Sequence, residues 1–229
     1  MDKLPAYISL VFGLTTIVTV WFFFMATKNS RATLLILLFW LILQAAIGLS
    51  GFYTVTNSMP PRFLLLILPP FLFIAGLFVT TRGRKFLDSL DAKYLAILHS
   101  IRIPVELVLF WLFINSTVPK LMTFEGRNFD IISGLTAPLI FYFGFVKHQI
   151  GRKIILLWNF ICLGLLINIV IIAVLSAPFS FQKLAFDQPN IAILYFPFVW
   201  LPCCVVPLVL LSHLATMRQL MRKQKKSNY

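Results

Sequence analysis

Charge is what this chain has least of. Charged residues fill 12% of 229 positions, and only seven are acidic, against twenty lysines and arginines. A soluble domain carries about 25% charge, so an ordinary water-facing surface cannot be built from this sequence. Cysteine is nearly as scarce. Cys162, Cys203 and Cys204 all lie inside apolar runs, which excludes a disulfide framework. No alternating polar–apolar stretch signals a strand, and no polar stretch is long enough to hold a second domain. Paired-histidine spacings such as HxxxH or HExxH are lacking. So are aspartates spaced DxxxD, since the DSLD of 88–91 sets its pair only three apart.

What is present is apolar surface. Hydrophobic residues make up 60% of the chain and include 24 phenylalanines. Seven apolar runs stand out, over about 6–27, 32–55, 63–81, 92–115, 129–147, 153–176 and 191–217. Each has roughly the 20 residues that a helical crossing of a bilayer needs. Backbone facing lipid must bond within its own segment, so runs of this length are expected to be helices. The first run is too long for the apolar part of a secretory signal, and no small-residue cleavage site follows it, so it reads as a retained span. The expectation is an all-α, polytopic integral membrane protein: a seven-helix bundle over 1–217 and a basic tail over 218–229.

A net charge of +13 invites a nucleic-acid reading. Distribution argues against it, because the basic residues sit in short clusters between apolar runs with no stacking platform of aromatics. Charge between spans instead reports orientation. Fourteen lysines and arginines fall in the loops after runs 1, 3 and 5 and in the tail, and five fall on the other side. That asymmetry predicts an outside N-terminus and a cytoplasmic C-terminus in a multi-pass protein of the plasma membrane. The tail, MRQLMRKQKKSNY, has five basic residues and no acid, and reads as an anchor to anionic lipid.

The twentieth basic residue, Arg102, lies inside the fourth run, in the stretch HSIRIPVE. Offsets of three and seven from His99 reach Arg102 and Glu106, which puts all three within roughly 60° on one helical face. A charge at that depth costs from about 3 to more than 10 kcal/mol unless it meets protein or water. Arg102 and Glu106 are four apart and can pair. Pro104 removes an amide and frees the carbonyl of Ser100. Intramembrane ionisable groups are functional by default, so His99, Arg102 and Glu106 are the candidate ligand- or proton-binding residues, weighed against a purely structural polar tie.

Other polar residues are placed around this stripe. Gln44 in run 2 and Asn168 in run 6 are candidate cavity polars, and Gly48 and Gly51 would let another helix approach closely. The outer loop TFEGRNFD brings Glu125, Arg127 and Asp130 together as a candidate lid, with Asp130 suited to a helix N-terminus and Asn128 able to cap it. Pro197, Pro202 and Pro207 must free carbonyls and bend the last run.

Cofactors are not expected. The last span has no lysine, which excludes a retinal Schiff base. Zinc or haem held through His99 and His213, with His148 as a third imidazole, finds no support in the spacing. The first functional expectation is a protein that binds or transports a small polar or anionic solute, with coupling to protons. The alternative is an intramembrane enzyme acting on a lipid or isoprenoid, and the third is a seven-helix sensor without retinal.

Overall fold

The computed structural model describes the backbone of residues 4–227 and the side chains of residues 4–222. Among them there is no strand, and the chain runs through nine α-helices joined by short 3-10 and π segments. Five helical segments are long and apolar enough to cross a membrane: α1 (Ala6–Ala26), α2 (Arg31–Leu49), the compound segment Ala92–Ile114, α8 (Arg152–Leu175) and the segment Leu201–Arg222. A sixth exists if α3 (Leu64–Val79) and α4 (Thr81–Ser89), bent by 95° at Thr80, count as one broken span. This is the architecture of a multi-pass α-helical membrane protein.

The sequence-based boundaries shift at three places, each for a physical reason. Run 2 stops being helical at Leu49, because Gly51 takes φ +72° and turns the chain into a 3-10 turn over Phe52–Thr54. That is the left-handed region a glycine tolerates, so Gly51 serves the turn and not helix packing. Gly48 does pack: a Cβ there would lie 3.2 Å from a Val199 methyl. Run 5 yields only Ile131–Val146, formed by α7 (Ile131–Leu139) and a π segment. Sixteen residues rise about 24 Å, short of the roughly 30 Å hydrocarbon core. Run 7 is irregular from Tyr195 to Val199, and its continuous helix begins near Leu201 as a π segment before α9 (Val206–Ser227).

The prolines of run 7 have the expected effect. Pro207 has no amide to give the carbonyl of Cys203, and the indole of Trp40 on α2 donates to that carbonyl instead, at 2.9 Å. Trp200 returns the favour with a 3.0 Å bond to Leu41 O. The threonines of α1 are equally self-contained, as Thr15, Thr16 and Thr19 each donate to the carbonyl four residues back. Hydroxyls satisfied this way can sit in an apolar bundle without an outside partner.

The fourth run breaks in the middle. α5 (Ala92–Leu98) gives way to a 3-10 turn at His99–Ile101, and α6 (Arg102–Ile114) follows. Pro104 falls in the first turn of α6, where a missing amide costs least. At the end of the bundle where α4 meets α9, Asp88 on α4 takes Arg218 at 2.9 Å and also Arg222, both from α9. Gln219 Nε2 caps the α4 end by donating to Leu87 O and Leu90 O. Two of the five basic residues assigned to the tail are therefore helix residues with a protein partner. Lys223, Lys225 and Lys226, the rest of the lipid-anchor reading, lie outside the described side chains.

Candidate functional site

The break at 99–101 sets His99 and Arg102 on successive turns that face inward, and both are buried together with Glu106. The stripe is therefore a feature of the folded chain, although its expected internal pairing is not. Arg102 turns away from Glu106 and donates from Nη1 to Asp130 Oδ1 at 2.6 Å, an ion pair with side-chain exposures of 3% and 8%. The same nitrogen reaches Cys162 O at 3.3 Å, and Nη2 lies 2.8 Å from His213 Nε2. Arg102 meets Asp130 and not Glu106 for a geometric reason. Gly134 lets α7 approach so closely that a Cβ there would stand 2.8 Å from Ile103 Cγ1 and 3.3 Å from Arg102 Cβ. That approach brings Asp130, at the N-terminus of α7, directly onto the guanidinium.

The Arg102 contact fixes the state of His213. A guanidinium only donates, so Nε2 must accept and the imidazole proton must sit on Nδ1. Nδ1 lies 2.9 Å from Asn159 Oδ1, which can only accept, while Asn159 Nδ2 donates to Ile155 O. His213 is thus neutral, with both nitrogens committed. His99 stacks on it at 3.9 Å between ring centroids and 18° between planes, and the edge of Trp158 closes the other side. Trp158 is itself fixed by a 2.8 Å bond to Thr136 on α7. His148, by contrast, is exposed at the end of the π segment and takes no part.

Glu106 finds a different partner. Asn128 Nδ2 donates to Glu106 Oε1 and, at 3.0 Å, to Met122 O, while Asn128 Oδ1 accepts from Asp130 N at 3.1 Å. The candidate lid therefore splits. Asp130 and Asn128 turn inward as members of the cluster, whereas Glu125 and Arg127 stay exposed, Glu125 with Lys120 at 3.7 Å. Asn168, expected to line the cavity, faces outward and donates to Arg127 O at 2.9 Å, which ties the loop to α8. Gln44 is buried but accepts from Tyr53 Oη at 2.6 Å, and it is not among the residues that line the cavity at Glu106 and Asp130. Both were placed by depth, and depth does not report which way a helix face points.

Glu106 and Asp130 open on a cavity of about 90 Å³ whose other walls are apolar, among them Phe63, Val105, Leu109, Leu166 and Pro202. In the cluster behind it, five buried polar atoms have no hydrogen-bond partner, His99 Nδ1 and Nε2, Arg102 Nε, Glu106 Oε2 and Ser133 Oγ, and of their residues Glu106 alone lines the cavity. Four contributors have roles that the sequence does not predict: Asp130 as an ion-pair partner and not a lid, Asn128 as a donor to Glu106 beyond its cap, His213 as an acceptor from Arg102, and Asn159 as its support. Asn159 and His213 carried the one available signal, as buried polar residues within apolar runs.

Residues 59–221 match a family described as a domain of unknown function, DUF8737. The chain belongs to this family. The matched stretch holds every member of the cluster and starts after α2. No curated protein and no solved structure matches the chain.

Proposed function

We propose that the protein spans the membrane seven times, N-terminus outside and C-terminus cytoplasmic, and that its span-4 cluster binds a small polar solute or a proton and passes it across the bilayer. The unfilled hydrogen-bonding capacity of the cluster carries this reading. A structural tie satisfies its own groups, since each buried polar atom left unmet costs about 1–3 kcal/mol. Five such atoms gathered in one cluster, with Glu106 of that cluster on a cavity wall, suit a site that receives water or solute.

The pairing pattern divides the roles. Arg102 is matched by Asp130, so it organises the site, and an anionic solute must compete with Asp130 to reach it. His213 has no free nitrogen. Glu106 and His99 retain free atoms and can exchange protons without breaking the ion pair. A cavity of about 90 Å³ suits a few waters or a very small solute.

The second reading, an enzyme acting on a lipid or isoprenoid with Glu106 or His99 as general base, is favoured by the apolar walls of that cavity. Val105 lines it, and the three native cysteines are buried, so Val105→Cys is a clean reporter. Transport predicts labelling by a small charged thiol reagent from at least one face of sealed vesicles. Labelling only by a membrane-soluble reagent supports the lipid enzyme. A thiol that neither reagent reaches would leave the cluster a structural tie.

A further inference from the structure

A larger cavity lies away from this cluster. A groove of about 590 Å³ runs between α2 and α3, floored by the start of α9, and its walls are almost wholly apolar. Ile36, Phe39 and Phe73 on its walls are each more than 60% exposed, so it opens sideways, toward lipid. It follows the first half of α2 and the last part of α3, which confines it to the leaflet adjoining α4. There the 95° bend sets α4 across the end of the groove.

At that end the groove becomes cationic. Arg82 lines it, and Arg84 and Lys85 beside it on α4 are exposed. The carboxylate of α4, Asp88, is already held by Arg218 and Arg222 and does not offset these charges. We infer that this groove is a binding site for an anionic phospholipid, with an acyl chain along Trp40, Phe73 and Leu208, the phosphate at Arg82, and the nearby charges of Arg84 and Lys85 adding to the local positive potential. Volume fits a bound lipid chain, since ligand sites run to about 300–1,000 Å³. Charge selects the headgroup, because a basic residue near an anionic surface is worth about fivefold in affinity. In the proposed orientation the site faces the cytoplasmic leaflet, where anionic lipids concentrate. The inference is independent of the solute site and stands or falls separately from it.

Trp40 makes the site measurable. The full chain is reconstituted in phosphatidylcholine vesicles containing either dibrominated phosphatidylglycerol or dibrominated phosphatidylcholine, and tryptophan fluorescence is followed against brominated fraction. The Trp40→Phe variant identifies the Trp40 contribution. Trp40 is expected to be quenched by the anionic lipid at about fivefold lower mole fraction or less, and R82Q/R84Q/K85Q is expected to remove the difference. Those three positions are exposed, so the triple variant should fold. Native mass spectrometry of wild type and triple variant, counting retained phosphatidylglycerol, gives a readout that does not depend on Trp40→Phe. Equal quenching by the two lipids, or an anionic preference that survives the triple variant, overturns the proposal.

Discussion

At the scale of single residues, the deciding contact is the one between Arg102 and Asp130. Removing one partner of a buried ion pair leaves an uncompensated charge and costs about 3–5 kcal/mol. Asp130→Asn and Arg102→Gln are each expected to lower the thermal midpoint in detergent markedly, while the double variant should lose less than the two losses added. Strict additivity would mean that the two side chains do not depend on each other. Arg102→Lys is expected to rescue little. The guanidinium serves Asp130, Cys162 O and His213 at once, and an ammonium lacks that planar fork. Glu106 offers a contrast, because only one of its oxygens is bonded. Glu106→Gln keeps the Asn128 contact and should hold stability within about 1 kcal/mol, yet abolish any proton flux measured with a pH dye in vesicles. A variant that conducts protons like wild type removes Glu106 from the path.

The elements explain why the residues meet, and how much of the meeting could be read in advance. The stripe was legible because helical periodicity alone puts His99, Arg102 and Glu106 on one face. Its partners were not, since Asp130 and His213 lie 28 and 111 residues further along and are delivered by α7 and α9. Asp130 was read as a helix cap and lid residue because its local sequence suits both roles. Only the close approach of α7, through Gly134, reveals the ion pair. Gly134→Val is therefore expected to act on the cluster from outside it. Overpacking there costs about 1–3 kcal/mol and should raise the accessibility of a Val105→Cys reporter as α7 is pushed away. Asp88 joins two other elements. Its pairs with Arg218 and Arg222 are partly exposed and are worth little global stability. Asp88→Asn should thus leave the melting midpoint nearly unchanged but speed amide exchange in α4 and the last turns of α9. Unchanged exchange would show that the Gln219 caps suffice to hold the two together.

For the whole molecule, the open quantity is parity. Composition and run length made the helical membrane class readable directly, because no soluble fold hides this much apolar surface. The number of crossings was less readable, because run length alone does not reveal a 95° bend or a sixteen-residue segment. Among the described residues five helical segments are long and apolar enough to cross, and the α3–α4 pair makes six. The status of Ile131–Val146 then decides whether the termini share a side. If that segment crosses, the count is seven and the termini lie on opposite faces; if it is re-entrant, the count is six and they lie on the same face. Two observations favour crossing. Exposed side chains such as Leu135 and Leu139 suit contact with lipid, and the π segment ends at Lys147 and His148, an exposed polar end at the far side from Asp130. Tilt cannot help a segment of about 24 Å, so local thinning of the bilayer must make up the difference, at a fraction of a kcal/mol per Å. Fourteen basic residues against five agree with that count only for an outside N-terminus. Reporters fused to each terminus are accordingly expected on opposite faces, the C-terminal one in the cytoplasm. Reporters on one face would make Ile131–Val146 re-entrant, and with it the Arg102–Asp130 pair would lie at the floor of a pocket open to a single side.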